Sequence, residues 1–316
     1  MIVASARSLA RCGVLGINAR NADYIARHNP RRAYPLVDDK LLTKELAHRH
    51  GIPTPVTHHV VGHYGDLSGL DAAVREHAAF VVKPARGSGG SGIVLVTGRG
   101  DGGFLRSSGK ALSNEALRYH VSDILSGIHS LEGREDRAIV EALVEPDSLF
   151  AAVSFRGVPD LRIVVYRGIP VLAMVRLPTR ASDGKANLHQ GALGAGVAIH
   201  SGITLDAVHR DAVVDRHPDT GEKVAGIRVP HWPEILRMAA LASDMTGLGY
   251  LGADIVIDRV RGPLLLELNA RPGLAIQLAN RSGLAHRLAR VDANAQPDGK
   301  PAEERVRWAM GAFAPQ

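Results

Sequence analysis

Residues 263–273 read Pro263-Leu264-Leu265-Leu266-Glu267-Leu268-Asn269-Ala270-Arg271-Pro272-Gly273. The apolar run has the pattern of a buried strand, and it ends in a carboxylate, a leucine and a carboxamide. Side chains alternate faces along a strand, so Glu267 and Asn269 point the same way. Two oxygen donors on one face suit a hard divalent cation such as Mg²⁺. Upstream, Gly252-Ala253-Asp254-Ile255-Val256-Ile257-Asp258 is a second apolar strand. A hairpin at 259–263 is expected to set Asp254 beside Glu267. Glu267 alone is equally well read as a solvated strand end. The set of Asp254, Glu267 and Asn269 reads better as a metal site.

Composition narrows the function classes. At 316 residues the chain is long enough for one large or two smaller domains. Aromatic residues make up 4%, which argues against a nucleic-acid surface built on base stacking. The formal net charge of +6 is spread along the chain, so it is compatible with nucleotides or other anionic partners without selecting one. A single cysteine, Cys12, permits no disulfide within the chain and fits a reducing compartment. No apolar run approaches the roughly 18–20 residues of a membrane span. The basic segment 1–32 lacks the apolar core of a secretory signal. These features give the expectation of a cytoplasmic, non-membrane protein with no nucleic-acid partner.

Strand and helix patterns alternate throughout. Helices are expected at 38–50, with Asp38 or Asp39 as N-cap and Gly51 as stop, and at 67–77, 114–126 and 233–246. Strands are expected at 56–61, 79–83, 93–97, 138–144, 150–155, 161–166 and 170–177. Residues 99–137 and 203–230 read as insertions, the first with a mobile beginning. The polar stretch 179–196 is long for a loop without structure of its own, and such loops are usually functional or disordered.

Gly87-Ser88-Gly89-Gly90-Ser91-Gly92 matches a dinucleotide fingerprint in its glycines, but a β pattern follows where that fingerprint needs a helix. A kinase reading fails as well. His209-Arg210-Asp211 has Arg216 where the asparagine belongs, and no Asp-Phe-Gly follows. Ser108-Gly109-Lys110 lacks the first glycine of a P-loop. What remains is a β-hairpin flap with Lys83 on the strand entering it. Backbone N–H groups freed of side chains close over phosphates, and a lysine supplies a point charge. His48, His50, His58, His59 and His63 match no zinc spacing. Cys12 reads as an inert thiol.

Lys40, Lys83 with its flap, the acidic strand end 141–145, Asp254 and Glu267-Leu268-Asn269 occur in an order that resembles the ATP-grasp superfamily. Asp160-Leu161-Arg162, Asn187-Leu188-His189 and Asn269 through Leu274 are similar to its alpha-L-glutamate-ligase-like group, which includes ribosomal-protein glutamate ligases. His217 to Gly221 and Pro230-His231-Trp232 are similar to sugar-transfer-associated ATP-grasp proteins. The resemblance implies an α+β fold of two α+β subdomains with ATP between them. It divides the chain into a reduced N-terminal region at 1–37, a subdomain at 38–144 with the flap, a subdomain at 145–292 with the metal site, and a tail at 293–316.

The resemblance also assigns roles. Lys40 and Lys83 would neutralise phosphates under the flap Gly87, Ser88, Gly89, Gly90, Ser91 and Gly92. Glu141 would accept from the adenine amino group, Leu143 or Val144 would offer backbone groups, and Glu145 or Asp147 would take the ribose. Asp254, Glu267 and Asn269 would hold Mg²⁺, with two ions and substitution by Mn²⁺ both allowed. Arg162, Lys185, Asn187, His189 and Arg271 would serve the chemical step. The implied reaction is a carboxylate–amine ligation through an acylphosphate. Its implied partners are an amino acid and a carboxylate-bearing peptide or protein, and a homo-oligomer is compatible with it. Lys185 stands where the ribosomal-protein ligases carry arginine, and lysine lacks the bidentate fork of arginine. A phosphotransferase on the same fold and a nucleotide-binding partner of a cell-envelope system are the alternatives.

Overall fold

The computed structural model describes residues 5–87, 89–100, 102–130, 133–210, 212–294 and 299–315. The chain forms two compact units, one of residues 1–38, 42–53 and 146–316 and one of residues 39–41 and 54–145.

The smaller unit is built on a sheet with strand order β1-β6-β2-β3-β4-β5. These strands are β1 (Thr57–Val61), β2 (Phe80–Pro84), β3 (Val94–Gly100), β4 (Gly103–Arg106), β5 (Ala111–Leu112) and β6 (Ala138–Ala142). All neighbours are antiparallel. Phe80, Val82, Val94, Val96, Ala138 and Val140 share one apolar core with Leu70 and Val74 of helix Leu67–Arg75 and Leu117, Val121 and Ile124 of helix Asn114–Leu125. The period of two then sends Val81, Lys83, Ile139 and Glu141 to the opposite face of β2 and β6. Segment 99–137, expected as an insertion with a mobile start, is integral to this unit. Phe104 of β4 and Leu112 of β5 are buried in its core.

The larger unit carries an antiparallel sheet of order β11-β10-β9-β8-β7-β12-β13. Its strands are β7 (Asp160–Tyr166), β8 (Ile169–Leu177), β9 (Leu193–Val197), β10 (Thr204–His209), β11 (Ala212–Val214), β12 (Tyr250–Asp258) and β13 (Gly262–Asn269). Helix Trp232–Thr246 packs on β7, β8, β12 and β13, and helix Ala302–Ala312 packs on it in turn. The second expected insertion, 203–230, supplies β10 and β11, with Ala207, Val224 and Val229 in the core. The expected tail also contributes buried residues, Ala302, Val306 and Ala309.

Two further expectations change. The segment expected as one subdomain at 38–144 is divided, because residues 42–53 pack with the larger unit. Ala47 and Ile52 are buried in that core, and Gly51, with φ +65°, ends helix Lys40–Arg49 as read from the sequence. The expected strand 150–155 is instead a short helix, Ser148–Ala151, followed by turns. Asp147 accepts a hydrogen bond from Leu149 N at 2.9 Å, a cap that favours the helical turn over an extended chain. Phe150 is then buried by direction rather than by alternation.

The buried amide of Asn29 helps pin the N-terminal segment. Asn29 Nδ2 donates to Tyr250 O at 2.6 Å and to Ala270 O at 3.0 Å, and its Oδ1 accepts from Tyr250 N at 2.9 Å. All three bonds go to the start of β12 or just past the end of β13. Asn29→Ala strands those backbone groups in a buried site, and we expect a loss of about 2–3 kcal/mol in urea unfolding. Asn29→Asp at pH 7 should cost at least as much, because its carboxylate then faces two carbonyl oxygens.

Candidate active site

β12 and β13 form the expected hairpin. Its turn is closed by Asp258, whose carboxylate accepts from Val260 N at 3.0 Å and Arg261 N at 2.9 Å. Asp254 pairs with Glu267 and Ile255 with Leu265, leaving Leu266 as an extra residue in β13. Before the bulge Pro263, Leu264 and Leu265 are all buried, and beyond it Leu268 is buried between half-buried Glu267 and Asn269.

Asp254 lies at the centre of a polar cluster on otherwise apolar strands. Arg162 on β7 is its register partner and donates twice, Nε to Oδ1 at 2.8 Å and Nη2 to Oδ2 at 2.5 Å. Arg176 on β8 donates Nη2 to the same Oδ2 at 2.8 Å. Arg176 also grips Asp160, its register partner on β7, with two bonds of 2.5 Å. Asn269 Nδ2 approaches Asp254 Oδ2 at 3.5 Å. Burial disfavours the Asp254 charge, yet Arg162 and Arg176 outweigh it and hold this carboxyl well below the usual carboxylate range. At Asp160 burial wins over the single guanidinium of Arg176, and the carboxyl is pushed up to about 6.

Arg176 belongs to this cluster without having been among the expected site residues, and Asp160 was singled out only as part of the Asp160-Leu161-Arg162 motif. The signal was present, since Arg176 is the lone charge in the apolar run Val171-Leu172-Ala173-Met174-Val175-Arg176-Leu177. A buried guanidinium needs a carboxylate, and here it has two. Carboxylate and carboxamide oxygens at Asp254, Glu267 and Asn269 are the ligand chemistry Mg²⁺ takes. A cation at Asp254 shares that carboxylate with the two arginines. Among the described residues no group of three or more His, Cys, Asp or Glu is arranged to hold a metal ion.

The loop after β8 is tied down at its stem. Thr179 Oγ1 donates to Gly191 O at 2.8 Å, and Thr179 N donates to Ser182 Oγ at 3.0 Å. Asp219 accepts from Arg180 N at 2.7 Å, and the buried His217 ring contacts Pro178 O at 3.0 Å. The turn 217–221 thus braces this loop. Lys185 and His189 are exposed. Asn187 Oδ1 accepts from His189 N at 3.0 Å and caps the turn Leu188–Gln190. Arg271 lies outside the Asp254 contacts just described, with its guanidinium 4.8 Å from the centroid of the Tyr34 ring.

In the smaller unit Lys83, 5% exposed, pairs with buried Glu141 on the neighbouring strand. Lys40 Nζ donates to Gly87 O at 2.6 Å, at the first residue of the flap. Asp39 caps helix Lys40–Arg49 through Leu41 N at 3.0 Å and binds Arg86 and Arg137. Gly89 and Gly90 adopt φ +61° and +80°, with open space where a side chain would stand. Ser88 lies outside the described residues. Val144 is buried, Leu143 half-buried and Glu145 exposed.

A sequence model of the family described as "Sugar-transfer associated ATP-grasp" matches residues 19–293. A "Probable alpha-L-glutamate ligase" of Parasynechococcus marenigrum (strain WH8102) is 27% identical over 248 residues, covering 78% of this chain and 39% of that protein. A protein of the same description from Aeromonas salmonicida (strain A449) is 24% identical over 270 residues, covering 84% of this chain and 67% of that one. The chain therefore spans well under half the length of the first relative. Among solved structures, the biotin carboxylase domain of Hydrogenobacter thermophilus 2-oxoglutarate carboxylase, bound to MgADP, is 15% identical with a TM-score of 0.50, covering 83% of this chain and 47% of that one. That likeness is one of fold.

Asp254→Asn removes the carboxylate to which Arg162 and Arg176 both donate. At pH 7 we expect a loss of about 3–5 kcal/mol, the cost of breaking a buried pair. The folded-state carboxyl is depressed, so its contribution is present above the unfolded value near 3.9 and is lost as pH falls through the folded one. The gap between wild type and variant in urea midpoints should narrow below about pH 4.

Proposed function

The chain belongs to the sugar-transfer-associated ATP-grasp family, and from that premise we propose that it is an ATP- and Mg²⁺-dependent carboxylate–amine ligase. The observation that carries this reading is the buried Lys83–Glu141 pair on the strand that feeds the glycine flap. A lysine fixed there is a point charge for phosphate that costs little ordering on binding. The two relatives described as glutamate ligases support an amide-forming reaction, and glutamate or another amino acid is the proposed amine. A peptide or protein carboxylate is the proposed acceptor.

ATP would supply the phosphoryl group that turns the acceptor carboxylate into an acylphosphate. The chain's own residues would do the rest. Lys83 and Lys40 would hold phosphate oxygens, with backbone N–H groups of the flap beside them. Asp254, Glu267 and Asn269 would hold Mg²⁺. Arg162 and Arg176 stay fixed by carboxylates, which suits them to stabilise negative charge without reorganising. Lys185, Asn187 and His189 sit on a loop with a braced stem and exposed side chains, an arrangement suited to meeting the acceptor. Arg271 is the proposed cation beyond β13.

Lys83→Ala should weaken Mg-ATP binding by roughly 10- to 150-fold, the equivalent of about 1.5–3 kcal/mol for a hydrogen bond to a charged group. ADP release should be screened over amino acids and peptides with hydroxylamine present. Hydroxamate formation is the expected result. ADP with a stable phosphorylated product and no hydroxamate would replace the ligase with a phosphotransferase.

A further inference from the structure

The flap's second arm is held from outside the nucleotide-binding residues. Gly92 O accepts from His120 Nε2 at 2.9 Å, and Ser91 Oγ contacts His129 Nδ1 at 3.2 Å. The His129 ring also packs directly on Gly92. A Cβ at Gly92 would lie 2.7 Å from the ring, and φ there is +74°. The two rings are neighbours, with centroids 5.6 Å apart. Next to them, Ser130 bridges Gly87 in the first arm.

Both histidines come from the segment 99–137. His120 is on helix Asn114–Leu125, whose start is capped by Ser113 accepting from Ala116 N at 3.1 Å. His129 follows the turn at Gly127. Burial lowers the His120 pKa, the Gly92 carbonyl opposes this, and His129 and Arg106 add to the lowering while Asp123 opposes it. The ring is therefore neutral at pH 7. To donate to a carbonyl it must carry its proton on Nε2.

We propose that His120 and His129 are positioning residues that hold the Ser91–Gly92 arm of the flap in its nucleotide-binding conformation. The proposal deepens, and rests on, the nucleotide-binding role given to the flap. A side chain at Gly89 or Gly90 would stand in open space, so the arm that follows sets where their N–H groups point. With that arm tethered, fewer residues must be ordered when phosphate binds. Without it the competent conformation is only fractionally populated, and apparent affinity falls by that fraction. This gives segment 99–137 a function beyond closing the sheet.

The test uses the full chain and has two readouts. In the free protein, amide exchange at Gly89, Gly90, Ser91 and Gly92 should speed up in His120→Ala and His129→Ala. It should return toward wild type in His120→Gln, which keeps a donor at the Nε2 position, and in His129→Asn, which keeps a polar atom at the Nδ1 position. In the second readout each Ala variant should weaken Mg-ATP binding about fivefold, the loss of one neutral hydrogen bond, with the same rescue. Turnover at saturating nucleotide should stay within about twofold. Unchanged exchange at the flap overturns the proposal, and so does failure of the Gln and Asn variants to rescue, which would mark the rings as packing only. A wild type that fails to bind Mg-ATP while exchange responds as expected sinks the nucleotide reading and leaves the tether standing.

Discussion

The carboxylate of Asp254 is the constraint on which the larger unit depends. It lies on a strand whose nine residues are all buried, and it accepts from guanidiniums on two other strands. A charge buried without partners costs several kcal/mol, so Asp254 is tolerable only where Arg162 and Arg176 reach it. That condition fixes the register of β7, β8 and β12 together. A slip of one residue would turn Arg162 to the other face of β7 and leave both charges in an apolar core. A hydrophobic strand can slide past its neighbour at modest cost, but this cluster cannot.

The same arrangement keeps two arginines rigid. Arg176 is held by Asp160 and Asp254 at once, and Arg162 by both oxygens of Asp254. Groups held this way need not reorganise when charge develops near them, which is the condition for electrostatic catalysis. Glu267 and Asn269 lie one strand further on, brought to the face of Asp254 by the bulge at Leu266. The sheet therefore collects oxygen donors and guanidinium donors on one surface.

The smaller unit uses its pleat in the same way. One face of β2 and β6 is spent on the core with two helices, and the other carries Lys83 and Glu141. The flap that follows is open at Gly89 and Gly90 and tied at its ends, by Lys40 and Ser130 on one side and by His120 and His129 on the other.

Much of this was written in the sequence. The alternation and the apolar runs determined the hairpin of β12 and β13, the strand carrying Lys83 and the helix expected at 233–246. Those signals are local, because a strand or a capped helix is specified by a few adjacent residues. The motif order pointed to ATP-grasp, and the family match to residues 19–293 agrees. Other features were decided only by the tertiary structure. The place of segments 99–137, 203–230 and 293–316 in the two cores depends on partners far away in sequence, such as Phe104 against Phe80 or helix Ala302–Ala312 against helix Trp232–Thr246. The bulge at Leu266 follows from pairing with β12. Arg176 became a site residue only when β8 lay beside β7, and His120 and His129 met the flap only once the helix was packed. A side chain's type is local information, whereas its partner is supplied by the fold, and at this site the partner decides the chemistry.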